Sequence, residues 1–352
     1  MHIGIIASAR HPIREPFAGG LEMHTHAMAT GLRGRGHEVT VFAAAESDPA
    51  LGVEALCPRA SQLDLSEAAS IDPSMLTDRF MAEHHAYLHL MLRLPERDFD
   101  LVQNSSLHYL PVAMANGLAA PLVTTLHTPP TPWIESAVDA ATDVSNVTFV
   151  SVSEHNARAW TQVPVHRIIR NGVDPTAWPF RPDGDPDCAS WTGRIVPEKG
   201  PHLAIDAAHA AGLRIHLAGP PDPTYLHDHV LPRLRPGDAY LGHLPQADLA
   251  EVVGAAGVHL ATPCWDEPFG LVVPEALACG TPVAAFDRGA TGEILTRRCG
   301  RLAPPGDVAA LAGAALQARE LARVDCRRRV EEHFSLDAMV DGYERLYEGM
   351  LS

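Results

Sequence analysis

Residues 265–280 read WDEPFGLVVPEALACG and hold two glutamates, Glu267 and Glu275, eight positions apart, with no cationic residue in the window. The preceding VHLATP (258–263) reads as the end of a strand. PEALACG fits a short helix, with Pro274 at its first position, where a missing N–H costs nothing, and Gly280 as its stop. Glu275 then falls in the first turn, where the helix dipole favours negative charge. Between strand and helix lies EPFGLVV, a loop in which Gly270 lets backbone amides approach a ligand closely. Two glutamates at this spacing are usually just solvated. The strand–loop–helix layout around them is what points to a ligand site at the carboxyl end of an α/β sheet.

Outward from this segment, strand-length apolar runs alternate with amphipathic or Ala-rich stretches, the pattern of parallel sheets with crossover helices. The first half predicts strands near 2–8, 38–44, 100–104, 121–127 and 148–153, and helices near 20–34, 74–94 and 154–161. DPTAWPFRPDGDPDC (174–188) is dense in Pro, Asp and Gly and reads as a linker. A second series follows, with strands near 189–194, 214–218, 239–242, 258–262 and 283–286. HAMATGLRGRGHEVTVFA and AIDAAHAAGLRIHLAG repeat one order of helix, glycine stop and strand. Two doubly wound domains facing across a cleft are expected, 1–170 plus 334–352 and 171–333. The tail FSLDAMVDGYERLYEGMLS is an amphipathic helix that must pack on one of them.

Composition excludes several classes. The 352 residues suit two domains, and 46% hydrophobic with 20% charged residues is an ordinary globular balance. A formal charge of −16 speaks against a nucleic-acid partner. The first residues, MHIGIIASA, read as a strand rather than a leader, and no apolar run reaches membrane-spanning length. A cytoplasmic protein is expected. Six cysteines lack any CxxC spacing, so neither a disulfide framework nor a zinc site is expected. Lys199 is the single lysine among 27 cationic side chains.

The stretch CWDEPFGLVVPEALACGTPVAAF…GATGEIL resembles the signature of the family 4 (group 1) glycosyltransferases, retaining enzymes of the two-domain GT-B fold. The resemblance extends through FAGGLEMHTHAMATGLRGRGHEVTVF, LHTPP, VSVSEHNARAW, IIRNGVD, WTGRIVPEKG and the terminal helix, which in that family crosses back to the first domain. It implies roles for individual residues. Glu267 would accept hydrogen bonds from the transferred sugar and Glu275 from the ribose, so that neither carboxylate needs a cation. Phe269, Gly270, Leu271 and Val272 would offer backbone amides to sugar and phosphate, and Arg194 and Lys199 would neutralise the diphosphate. Gly19 and Gly20 would aim the first long helix at an anion. His127 would touch the donor sugar or the transition state. Gly219, His243 and Leu244 would cradle the base.

The implied donor is a nucleotide-diphosphate sugar, a UDP-sugar ahead of a GDP-sugar. The implied chemistry is a front-face transfer with retention, with no cofactor and no divalent metal, because fixed positive groups stand where a metal would. His84, His85 and His89, and the His24–His26 run, read as polar helix faces rather than metal ligands. Rival readings are a non-hydrolysing sugar-nucleotide epimerase and a silent sugar-nucleotide sensor. The acceptor loops 9–18, 46–75, 105–112 and 128–145 carry no readable motif. Residues 1–170 hold 11 Arg, no Lys and 18 acidic residues. Anionic membranes are therefore disfavoured, and a soluble small-molecule or saccharide acceptor is expected.

Overall fold

The computed structural model describes residues 1–56, 66–71, 78–141 and 143–352. Among these, strands β1 (His2–Ile6), β2 (Glu38–Ala43), β3 (Val53–Ala55), β4 (Leu101–Asn104), β5 (Leu122–Leu126), β6 (Val147–Ser151) and β7 (Val165–Ile168) form a parallel sheet in the order 3-2-1-4-5-6-7. Strands β8 (Asp185–Thr192), β9 (Arg214–Ala218), β10 (Ala239–Tyr240), β11 (Ala256–Ala261), β12 (Val283–Phe286) and β13 (Gly300–Ala303) form a second parallel sheet in the order 10-9-8-11-12-13. The inner strands β4, β5, β11 and β12 are buried along their whole length, because helices cover both faces. In each sheet the strand order reverses once, between β1 and β4 and between β8 and β11. The carboxyl ends at such a reversal form a crevice suited to ligands.

Every strand expected from the sequence is present. Three that were not expected, β3, β7 and β13, are all edge strands. Their half-solvated faces leave no continuous apolar run to detect. The expected linker at 174–188 is a correction. Trp178 is 1% exposed in the second domain's core, Arg181 donates its backbone N–H to Cys279 O at 3.0 Å, and β8 already begins at Asp185. Proline there marks an irregular packed strap. The short helix also begins earlier than expected, at Val272 with Leu271 as its cap, so Pro274 takes the third position. That position still lies among the first-turn N–H groups without intrahelical partners, which explains the tolerance. The expected helix at 74–94 is seen as Asp78–Arg93; residues 57–65, with Cys57, and 72–77 lie outside the described residues, so the 46–75 loop is described only in part. The five described cysteines are free.

After β7 the chain passes into the second sheet and returns at Phe334. The two crossings touch: Val173 N–H donates to Phe334 O and Leu336 N–H donates to Val173 O, both at 2.9 Å. The C-terminal helix Leu336–Leu351 then packs on helix Gly20–Gly34, burying Met339, Val340, Tyr343 and Tyr347. Tyr343 OH meets Thr125 Oγ1 of β5 at 2.9 Å, and Tyr347 OH donates to Gln103 Oε1 of β4 at 2.8 Å. Arg35 gathers Asp337, Asp341 and Glu344 along the exposed side.

Candidate active site

The carboxyl ends of the two sheets enclose a cavity of about 450 Å³. All the residues assigned from the sequence line it: Gly19, Gly20 and His127 from the first domain, and Arg194, Lys199, Gly219, His243, Leu244, Glu267, Phe269, Gly270, Leu271, Val272 and Glu275 from the second.

The two glutamates differ in their surroundings. Glu267 Oε2 accepts from Trp265 Nε1 at 2.9 Å and from Lys199 Nζ at 2.5 Å, and Lys199 also lies 5.1 Å from the Trp265 ring centre. The expectation that Glu267 needs no cation is therefore corrected. The cation comes from 68 residues upstream, beyond the reach of any local window. The backbone of Glu267 is pinned by Ala290 N–H, which donates to its carbonyl at 2.9 Å. Gly289 makes that approach possible: with φ at +63°, a Cβ on it would sit 2.3 Å from Glu267 O.

Glu275 is 5% exposed, and its carboxylate has no hydrogen-bond partner among the described residues. Burial pushes its pKa up to about 8. An unpartnered carboxyl at a cavity wall is suited to a diol, which supplies the donors the protein withholds. Just before it, the amides of Gly270, Leu271 and Val272 make no hydrogen bond among the described residues. The Phe269 ring turns inward, 6.0 Å from Phe334, so this loop shows the cavity mainly backbone.

Arg194 follows β8 and pairs with Glu198 at 3.1 Å. Lys199 closes a short turn, Pro197–Lys199, whose Lys199 carbonyl accepts from Thr262 Oγ1 at 3.1 Å. Gly219 has a reason to be glycine besides a ligand: a Cβ there would lie 1.9 Å from Gly193 O. His243 Nε2 is 2.8 Å from Phe17 O, and Gln246 N–H donates to Glu15 at 3.0 Å, so this loop docks on the first domain. Ser153 Oγ donates to Pro268 O at 2.6 Å, and Glu293 accepts from the amides of Glu154 and His155 at 3.0 and 2.5 Å, bridging the cleft at a second place.

On the first-domain side, Gly19 is extended and Gly20 opens the helix Gly20–Gly34. His127 has its Nε2 buried without a partner among the described residues, and its ring stands edge-on to His24 at 4.7 Å. Burial holds His127 well below the ordinary histidine range and His24 at about 4, so both are neutral at pH 7. Sequence reasoning missed two charged lining residues. Arg10, in the loop after β1, pairs with Glu83 at 3.3 Å. Glu22 is 5% exposed, has its carboxyl pKa raised by burial, and places Oε2 3.3 Å from where a Gly19 Cβ would be. Its position three residues after the cap glycine, as in a capping box, was the available signal. Of the other histidines, His84 joins an aromatic cluster and His85 lies 6.1 Å from His89, ring to ring.

Positive groups, free amides and two carboxyls around one cleft suit a ligand carrying both phosphate and hydroxyls. Residues 18–177 match the profile of Glycosyltransferase Family 4, and residues 188–320 that of Glycosyl transferases group 1. The chain is 27% identical over 339 residues to a glycogen synthase of Mycobacterium tuberculosis, covering 84% of this chain and 81% of that one. It is 28% identical over 410 residues to a D-inositol 3-phosphate glycosyltransferase of Gordonia bronchialis, covering 97% and 88%. Among solved structures it is similar to Anabaena HepE in complex with UDP and glucose (TM-score 0.75, 19% identity, 99% and 100% covered). It is also similar to sucrose-phosphate synthase from Thermosynechococcus elongatus (TM-score 0.76, 19% identity, 99% of each chain). The chain belongs to the family 4 (group 1) glycosyltransferases and is a transferase of the GT-B fold that moves sugar from a nucleotide sugar.

Proposed function

We propose that the enzyme moves a hexose from a nucleotide-diphosphate sugar, a UDP-sugar ahead of a GDP-sugar, to a hydroxyl of a soluble small-molecule or saccharide acceptor, with retention, in the cytoplasm. The observation that carries this is the meeting of Arg194, Lys199, Glu267, Glu275 and the free amides of residues 270–272 in one cavity. Anabaena HepE, bound to UDP and glucose, supports the choice of base. Glu275 takes the ribose diol and Glu267 the sugar hydroxyls. As the C1–O bond to the diphosphate breaks, the acceptor oxygen bonds C1 on the same face and its proton passes to a donor phosphate oxygen. Arg194, Lys199 and the loop amides stabilise the departing diphosphate. His127, neutral and with Nε2 buried at the cavity wall, offers a hydrogen bond to the sugar.

No divalent metal enters this scheme, because the two cations and the amides face the diphosphate. No helix among the described residues is long and apolar enough to cross a membrane. Incubation with UDP-glucose, UDP-GlcNAc and GDP-mannose tests the reading. Slow release of nucleoside diphosphate, undiminished by EDTA, is expected, and proton NMR of a product should show the donor's anomeric configuration. Conversion of the UDP-sugar to its epimer without acceptor would overturn it, as would loss of turnover in EDTA restored by magnesium or manganese.

A further inference from the structure

The acceptor loops without a sequence motif come together around a group of aromatic rings beside the cavity. Trp133 lies in the first turn of the helix Pro132–Ala140, Tyr109 and His108 end the loop after β4, and Phe80, His84 and Tyr87 lie along the helix Asp78–Arg93. Trp133 lies 5.4 Å from Tyr109 at an interplanar angle of 20°, and 5.6 Å from Phe80. Tyr109 lies 4.8 Å from His108 at 22°, and His84 lies 6.0 Å from Phe80 at 12°. Near-parallel rings at these separations are offset-stacked, so that each covers only part of its neighbour's face. The inner end is fixed: Tyr87 stacks on His108 at 4.6 Å, and its hydroxyl donates to Ala7 O and accepts from Ala9 N–H at the end of β1. The outer end is open, with Trp133 43% exposed.

This surface adjoins the cavity. Leu107, directly before His108, and Arg10, paired with Glu83 of the same helix as Phe80 and His84, both line it. A core reading accounts for Tyr87 and His108, which are buried, but not for the part-exposed outer rings. We propose that Trp133 and Tyr109 form an acceptor subsite for a neutral pyranoside, stacked by its C–H face, with Arg10 and Glu83 beside it for the equatorial hydroxyls. This rests on the glycosyltransferase reading above and names the acceptor class for it. A pyranose has one apolar face and a hydroxyl rim, which matches rings on one side and polar groups at the edge. A phosphorylated acceptor fits less well: Arg10 is already engaged by Glu83, and the helix carrying Trp133 adds Glu135 and Asp139.

The test titrates wild type, Trp133→Phe, Trp133→Ala and Tyr109→Ala with maltose and with methyl β-D-galactopyranoside, reading saturation transfer to sugar C–H protons. A UDP-induced rise in melting temperature shows that each variant is folded. Saturable binding of at least one glycoside is expected, with affinity at least about tenfold weaker in Trp133→Ala and Tyr109→Ala and kept within about threefold in Trp133→Phe. Binding of neither glycoside to wild type would overturn the subsite, as would equal binding by Trp133→Ala. So would tighter, Arg10-dependent binding of myo-inositol 1-phosphate, or pelleting with phosphatidylinositol vesicles. Donor hydrolysis is measured separately: its absence from wild type counts against the transferase reading, whereas a wild type that hydrolyses donor but binds neither glycoside counts against the subsite alone.

Discussion

The loops leaving the two sheets face the same cavity but are built from different material. In the second domain, after β8, β9 and β11, they present glycine backbone and a few charged groups held close: Gly219 packed against Gly193, and Lys199 bonded to Glu267 and set over the Trp265 ring. In the first domain, after β1, β4 and β5, they present side chains: Arg10, Tyr109 and Trp133. Backbone amides and single carboxylates recognise groups that recur in every nucleotide sugar, namely phosphate and diol. Side-chain surfaces recognise one ligand's outline. The donor side is therefore readable as a motif, and the acceptor loops of the first domain are not.

If that division is right, the largest effect comes from removing a charge on the donor side. Lys199→Ala should lower turnover on the order of 10²–10³-fold at saturating acceptor, while the acceptor KM changes little. Steady-state kinetics decides it, and a raised acceptor KM with intact turnover would break the comparison. Next in size, Glu275→Ala should weaken UDP binding about 10–100-fold, the loss of hydrogen bonds to a charged group. Glu267→Ala should leave UDP affinity within about threefold and act on turnover instead. Calorimetry with UDP separates them, and equal losses would contradict the separate roles.

Much of the site was legible because its chemistry is sequence-local. Glu275, Gly270 and the amides around them sit on one strand–loop–helix unit, whose alternation and punctuation show in a short window. The Lys199–Glu267 pair was not legible as a pair, since its partners come from different strand ends. Gly289 was missed for a related reason: it acts on the backbone of Glu267, which residue type alone does not reveal. The edge strands β3, β7 and β13 and the buried Trp178 strap escaped because solvation and tertiary packing, rather than local pattern, define them. The aromatic surface was invisible because its rings come from three separate loops and helices.

Glu275 also gives the second domain a pH signature. Burial raises its folded pKa from the ordinary 4.5 to about 8, so the folded state holds a proton that the unfolded state releases. Its contribution is therefore most favourable below pH 4.5 and is lost as pH rises towards 8, by on the order of 5 kcal/mol. Glu275→Gln should flatten this slope, measured as urea midpoints from pH 5 to 8. UDP should offset it, since ribose hydroxyls stabilise the ionised carboxylate. A variant with the wild-type slope would show that the proton is held elsewhere.

The smallest expected effect tests whether the C-terminal helix acts with the first domain rather than with the second, which it follows in the chain. Tyr347 OH donates to Gln103 Oε1, and both groups are buried. Tyr347→Phe leaves that oxygen unpaired, at a cost of about 1–2 kcal/mol. Because the lost bond touches β4, the loss should appear in the first sheet alone. Amide exchange in β4 and β5 should accelerate about tenfold, the equivalent of 1.4 kcal/mol. Exchange in β11 and β12 should keep its wild-type rate, as should UDP affinity. Acceleration spread equally over both sheets would mean that the two crossings at Val173 and Phe334 join the domains into one cooperative unit, and the comparison between the halves would then hold for recognition but not for stability.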